Sequence, residues 1–295
     1  MFSHVFMQHA FLAGTAVGLA AGLVGYFLVL RAQVFTADAL SHVAFTGALA
    51  GLAMGLDARV GLFAVTILVA LGMGALGRRA RPGDVVVGGV FAWILGLGVF
   101  FLTLYTTKRS GSGDGAAGVR VLFGSIYGLS ATDTAVAVGV AMTIAVAVVG
   151  IARPLLFATL DEHVAAARGV PVRVLGYGFL ALTGATAAES TQVVGALLIL
   201  GLLAAPAGAA RRVTTRPLAG LAVSAAIAVG SVWIGLTVSY LVPKTPPSFA
   251  ILSTATATYL MVIAGSSLWA GRRHESDRRD PLQPGPIHGV PETAR

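Results

Sequence analysis

The chain has 295 residues, 56% hydrophobic and only 11% charged, with a mean hydropathy of +0.86. Soluble domains carry about 25% charged residues, so the composition excludes a soluble fold and predicts an all-α polytopic membrane protein. The net charge of +8 sits in short arginine clusters between apolar runs, the pattern of inner membrane loops and not of a nucleic-acid partner surface.

A helical crossing needs roughly 20 apolar residues. Nine such runs are read, at 9–30, 36–56, 60–77, 85–106, 132–152, 174–190, 192–210, 217–241 and 248–270. The count becomes eight if the adjacent pair 174–190 and 192–210 is one broken segment. A transmembrane domain over 1–270 is therefore expected, followed by a disordered cytoplasmic tail over 271–295. No Lys or Arg precedes the first apolar run, so no cleavable signal is expected. With the N-terminus outside, the inner side collects Arg31, Arg78, Arg79, Arg81, Arg153, Arg168, Arg173, Arg211, Arg212, Arg216 and the tail's arginines, fifteen basic residues in all. The outer side holds five: Arg59, Lys108, Arg109, Arg120 and Lys244. That asymmetry predicts a bacterial-type cytoplasmic membrane with the N-terminus outside and the C-terminus inside. With eight spans the orientation upstream of the break inverts.

The first span carries Gly14, Gly18 and Gly22, and the second Gly47, Gly51 and Gly55, at four-residue spacing. Such stripes let helix backbones approach closely. The second span opens with Thr36-Ala37-Asp38-Ala39-Leu40-Ser41-His42. Residues four apart share a helix face, so Asp38 and His42 point the same way. A carboxylate and an imidazole are costly in lipid and by default line a cavity or pathway. The other reading is a mutual hydrogen bond that ties helices together. At about 100° per residue the glycine stripe falls roughly opposite the pair, which favours a pathway.

Between 107 and 123 the sequence reads as a flexible outer loop, and Phe123 to Ser130 as a glycine-punctuated turn. Residues 160–171 read as a short inner helix, with Asp161 and Glu162 in its first turn, alanines in its body, and Gly169 and Pro171 closing it. It is either a connector or an element that receives force from a soluble partner. Glu189 with Gln192 either contacts a translocated cation or is an interfacial, solvated pair. His9 is placed at the interface, and His274 and His288 in the solvated tail, whose arginines suit anchoring at anionic lipid.

Enzyme signatures are absent. Neither lysine, Lys108 nor Lys244, follows a Gly-x-x-x-x-Gly, so there is no P-loop. His274-Glu275 lacks a second zinc-protease histidine, and no serine lies in Gly-x-Ser-x-Gly. The chain is therefore read as a non-enzyme. The absence of cysteine removes disulfides, thiolate metal sites and cysteine nucleophiles. An Asp and a His suit zinc, manganese or ferrous iron, and the lack of sulfur argues against copper(I). One of each is too few for tight binding, but a symmetric homodimer would bring four ligands to its axis. A loose site suits transport, since the ion must also leave.

These features resemble the permease subunits of ABC importers for zinc, manganese and related divalent metals, over about residues 10–270. The resemblance is carried by Arg31 with Asp38-Ala39-Leu40-Ser41-His42, by Leu122-Phe123-Gly124-Ser125, and by Asp161-Glu162, Ala165 and Gly169. It continues in Val194-Gly195-Ala196-Leu197-Leu198, Ala205-Pro206-Ala207 with Ala210-Arg211, and Pro247. It implies a homodimeric permease served by a cytoplasmic ABC ATPase and an extracytoplasmic metal-binding protein. No cofactor is held permanently; the metal is cargo. By resemblance, Asp38 and His42 line the metal's path, and Asp161, Glu162, Ala165 and Gly169 belong to the ATPase contact. Thr46 departs from the family, which usually has proline shortly after the histidine, and the long polar tail has no place in its pattern. The alternative from another class is a proton-coupled secondary transporter, in which Asp38 and His42 would relay protons.

Overall fold

The computed structural model describes residues 4–77, 81–108, 124, 126–196 and 199–279. Among them are ten α-helices: α1 (Val5–Leu30), α2 (Val34–Ala53), α3 (Ala58–Leu76), α4 (Asp84–Lys108), α5 (Ala131–Leu160), α6 (Glu162–Ala167), α7 (Val172–Val193), α8 (Ile199–Val213), α9 (Pro217–Leu241) and α10 (Pro247–Arg279). A 3₁₀ turn covers Ile126–Gly128. No strand occurs among the described residues, as expected where every backbone group must be satisfied within its own segment. By length and composition, α1, α3, α4, α5, α9 and α10 are apolar enough to cross a membrane. The other three longer helices are of a different kind. α8 has 15 residues, about 22 Å of helix, while α2 carries Asp38 and His42 and α7 carries Arg173 and the run Glu189–Gln192.

α1 is the most enclosed of the six, packed against α5, α7, α8 and α9. Its glycine stripe serves the close approach read from its spacing. A Cβ on Gly14 would lie 2.7 Å from Val232 of α9, and one on Gly22 2.7 Å from Ala225. Ser224 of α9 donates its hydroxyl to the Gly22 carbonyl at 2.7 Å. α2 uses its own stripe against α3, where a Cβ on Gly47 would come 2.7 Å from the Gly61 carbonyl oxygen. Gly55 does not belong to that stripe. α2 ends at Ala53, and Gly55 (φ 78) forms its left-handed stop, with the Leu56 amide bonded to the Gly51 carbonyl at 2.9 Å. α7 joins the two groups, touching α2 and α3 on one side and α1 and α5 on the other.

The helix ends sort into two layers. One holds the α1 N-terminus, the α2–α3 turn, the N-terminus of α5 and the end of α7, linked by His9 to the Leu129 carbonyl (3.2 Å) and by Arg59 to Asp133 and Gln192. The other holds the α1–α2 corner, Arg81, the end of α5 and α6. The segments 174–190 and 192–210 are separate helices, α7 and α8, that part at Gly195 (φ 107). α10 continues to Arg279. The remainder of the tail with His288, the loop 109–123, and Ser125, Leu197 and Leu198 lie outside the described residues.

Candidate metal pathway

α1 ends in a left-handed residue, Ala32 (φ 53), with the Gln33 amide bonded to the Leu28 carbonyl at 2.8 Å. This helix-stop geometry normally selects glycine. It turns the chain sharply into α2 and places Asp38 and His42 on one face, both half-buried. Phe35, exposed, and Phe45, half-buried, extend the same partly open stripe. Phe91 of α4 packs edge-on against His42, with ring centroids 5.2 Å apart, and against Phe35 at 6.3 Å. Thr46 seals the helix pair one turn further, donating to the Ile94 carbonyl of α4 at 3.2 Å. No hydrogen bond joins the Asp38 and His42 side chains among the described residues, so the helix-tying reading of the pair is not realised. Nor do three residues of the His, Cys, Asp and Glu type converge on one point among them. The chain thus presents a carboxylate and an imidazole, not bonded to each other, on a partly open face.

At the Arg59 end of the bundle, three helices meet through one guanidinium. Arg59, in the first turn of α3, donates to Asp133 of α5 at 3.1 Å and to the Gln192 side chain of α7 at 3.0 Å. Asp133 is held by a capping box with Ser130, which fixes the start of α5. Glu189, one turn before Gln192, is 2% exposed, and neither carboxylate oxygen has a hydrogen-bond partner among the described residues. The interfacial, solvated reading of Glu189 is therefore not what this chain's packing shows. Arg59 entered the sequence reading only as an outer-loop charge, and Asp133 not at all. The Ser130-x-x-Asp133 pattern was the visible signal for the second.

At the opposite end, α6 is the short helix predicted at 160–171. The Asp161 carboxylate accepts from the Val164 amide at 2.9 Å, and Gly169 (φ 81) ends the helix, with the Val170 amide on the Ala165 carbonyl at 3.0 Å. Ala165 is fully buried against Ala158 and Val172. His163, Val164, Ala166, Ala167 and Arg168 are exposed. Beside them Glu162, Pro171 and Arg173 help line a cleft of about 310 Å³. Arg31, 8% exposed, connects this corner to α2. It donates to the Gln33 side chain at 3.0 Å and to Thr159 at 3.4 Å, and its guanidinium carbon lies 5.3 Å from the Phe179 ring centroid. Burial first, then the nearby Arg81 charge, lowers its pKa to about 10, with Glu162 opposing the shift. Arg81 itself donates to the Ala158 carbonyl at 3.0 Å.

Two separate sequence motifs meet in the fold. Gly124 (φ 71) lies so close to Val194 and Gly195 that a Cβ there would come within 2.5 Å of the Val194 carbonyl carbon. Only glycine fits this contact, which props the α5 approach against the break between α7 and α8.

A model of the ABC 3 transport family matches residues 3–266. The manganese transport system membrane protein MntC of Halalkalibacterium halodurans is 29% identical over 217 residues, covering 73% of this chain and 72% of that one. The chelated iron transport system membrane protein YfeD of Yersinia pestis is 28% identical over 206 residues, covering 70% and 67%. Among solved structures, PsaBC from Streptococcus pneumoniae in complex with Fab aligns with a TM-score of 0.76 at 25% identity, covering 88% of this chain and 91% of that one.

Proposed function

The chain belongs to the ABC 3 transport family, and we propose that it is the membrane-spanning permease subunit of an importer for a divalent metal ion. Zinc, manganese or ferrous iron is the cargo, ATP is hydrolysed on a separate cytoplasmic subunit, and an extracytoplasmic metal-binding protein delivers the ion. The observation that carries the reading is the Asp38–His42 pair: two hard-to-borderline ligands on one face of α2, not bonded to each other and not sealed by the chain's own helices. The names of the relatives, which concern manganese and chelated iron, support the choice of cargo.

Two ligands hold a first-row cation weakly. A second copy of the chain supplies the matching Asp and His, and the ion rests between the two α2 helices until alternating access releases it. The α6 corner is the natural receiver of the ATPase stroke. Its outer face is exposed, while Ala165 and Asp161 anchor it to the ends of α5 and α7. Arg31 carries displacement there toward α2, because it touches both Thr159 and the corner that opens α2.

The test is metal accumulation in cells that co-express the ATPase and the metal-binding protein. Asp38→Asn and His42→Ala each abolish accumulation while the protein still inserts. Normal uptake by both variants sinks the assignment. Uptake that persists without any ATPase and collapses with the proton gradient moves the chain to the secondary-transporter class.

A further inference from the structure

The Arg59 end of α7 carries a buried carboxyl group that the fold leaves without a hydrogen-bond partner among the described residues. Arg59 acts electrostatically on Glu189, yet its guanidinium bonds are made to Asp133 and Gln192 instead. Arg59 and Asp133 neutralise each other as an ion pair, so the Glu189 carboxylate is left without a counter-charge. It is 2% exposed, and both its oxygens lack partners among the described residues. The Ser190 and Thr191 hydroxyls on the same turn are buried without partners as well. Buried polar groups in native proteins are satisfied, and a buried carboxyl group is offset by a paired cation or by taking up a proton. One turn of α7 thus gathers four buried oxygens without partners among the described residues, two of them from Glu189.

We propose that Glu189, with the Gln192 side chain one turn further along the same face, is a second cation station, occupied by the divalent metal at the Arg59 end of the permease. Carboxylate and amide oxygens are hard donors, a set suited to manganese. Arg59 is the station's competitor: while it is held by Asp133 and Gln192, the carboxylate is open to an ion. Occupation needs the Gln192 amide oxygen, so an arriving ion draws that oxygen away from Arg59. The station would therefore report its filling to three helices at once. This inference rests on the metal-permease reading, but its readout is binding and not uptake.

The experiment uses the full chain in lipid nanodiscs, with Mn²⁺ as the probe and loss of the free-ion paramagnetic resonance signal as the measure. Asp38→Asn with His42→Ala removes the first station, and the remaining binding is titrated in that background. Mn²⁺ binding persists there, and adding Glu189→Gln weakens it by at least about tenfold, the size expected for loss of a metal-supporting group. Glu189→Asp, which keeps the charge, retains binding, and Arg59→Gln tightens it by removing the competing cation. No Mn²⁺ binding in the background, or binding that Glu189→Gln leaves unchanged, overturns the proposal; the latter is the result if Glu189 only carries a proton. Failure of the permease reading is seen separately, as normal uptake by the Asp38 and His42 variants.

Discussion

Replacing Arg31 with methionine removes a buried charge while keeping most of the side-chain volume, so its cost isolates the polar contacts. The bond to Gln33 at 3.0 Å is charge-assisted and contributes about 1.5–3 kcal/mol. The Phe179 contact at 5.3 Å adds about 1 kcal/mol. Against these stands relief of burial and of repulsion from Arg81, the same influences that lower the Arg31 pKa. Gln33 decides the balance. It is buried, and its amide nitrogen already lacks a partner, so losing Arg31 orphans its oxygen too. Arg31→Met is expected to destabilise by about 2–3 kcal/mol. Adding Gln33→Leu should return most of that loss, because removing both partners of a buried pair is nearly neutral. Reversible unfolding in mixed micelles, followed by tryptophan fluorescence, measures both. A double variant no more stable than Arg31→Met alone refutes the assignment of the cost to an orphaned Gln33.

Four further outcomes follow from the packing and are read in the same unfolding assay. Gly47→Ala drives a Cβ to 2.7 Å from the Gly61 carbonyl and should cost about 1–3 kcal/mol, whereas Gly72→Ala on α3, with nothing within 4 Å, should gain up to about 1 kcal/mol. Ala32→Gly relieves a left-handed alanine (φ 53) worth about 1–2 kcal/mol and gives part of it back as chain entropy, for a net gain near 1 kcal/mol. Thr46→Val keeps shape but deletes the hydroxyl bond to Ile94 across α2 and α4, and should cost about 1 kcal/mol; a neutral result means the helix pair is held by packing alone.

The parts legible from sequence are those set by local chemistry. Asp38 and His42 share a face because four residues is nearly one helical turn, and α6 is capped by Asp161 and stopped by Gly169 as its residue types require. Spacing misled at Gly55, where a four-residue repeat ran past the end of the helix. Whether a glycine continues a stripe or stops a helix depends on its φ, and spacing carries no information on φ. The Arg59 cluster was illegible for another reason. Arg59, Asp133 and Gln192 lie 74 and 133 residues apart along the pairs they form, and only tertiary packing brings them together. Glu189 was visible as a residue, but burial and not identity separates a solvated carboxylate from an orphaned one.

The distribution of polar groups sets Asp38 and His42 apart from the arginines. At the two layers of helix ends, buried Arg31 and half-buried Arg59 are answered within the chain: Arg31 by Gln33 and Thr159, Arg59 by Asp133 and Gln192. These contacts fix how helices meet, and each stabilises the fold by itself. Asp38 and His42 differ, since their side chains are not bonded to each other and Phe91 offers only a ring edge. A half-buried carboxylate and imidazole without hydrogen-bond partners among the described residues add little stability to this fold. On the function proposed above, a metal ion would answer them, and two ligands per copy would make a four-ligand site when a second copy faces the first. A cation held by four ligands drawn from two separable helices is also released when those helices part. If Asp38 and His42 work in this way, the binding site and the transport step would be the same structural event, and the strength of the site would be set by how closely the two α2 helices approach.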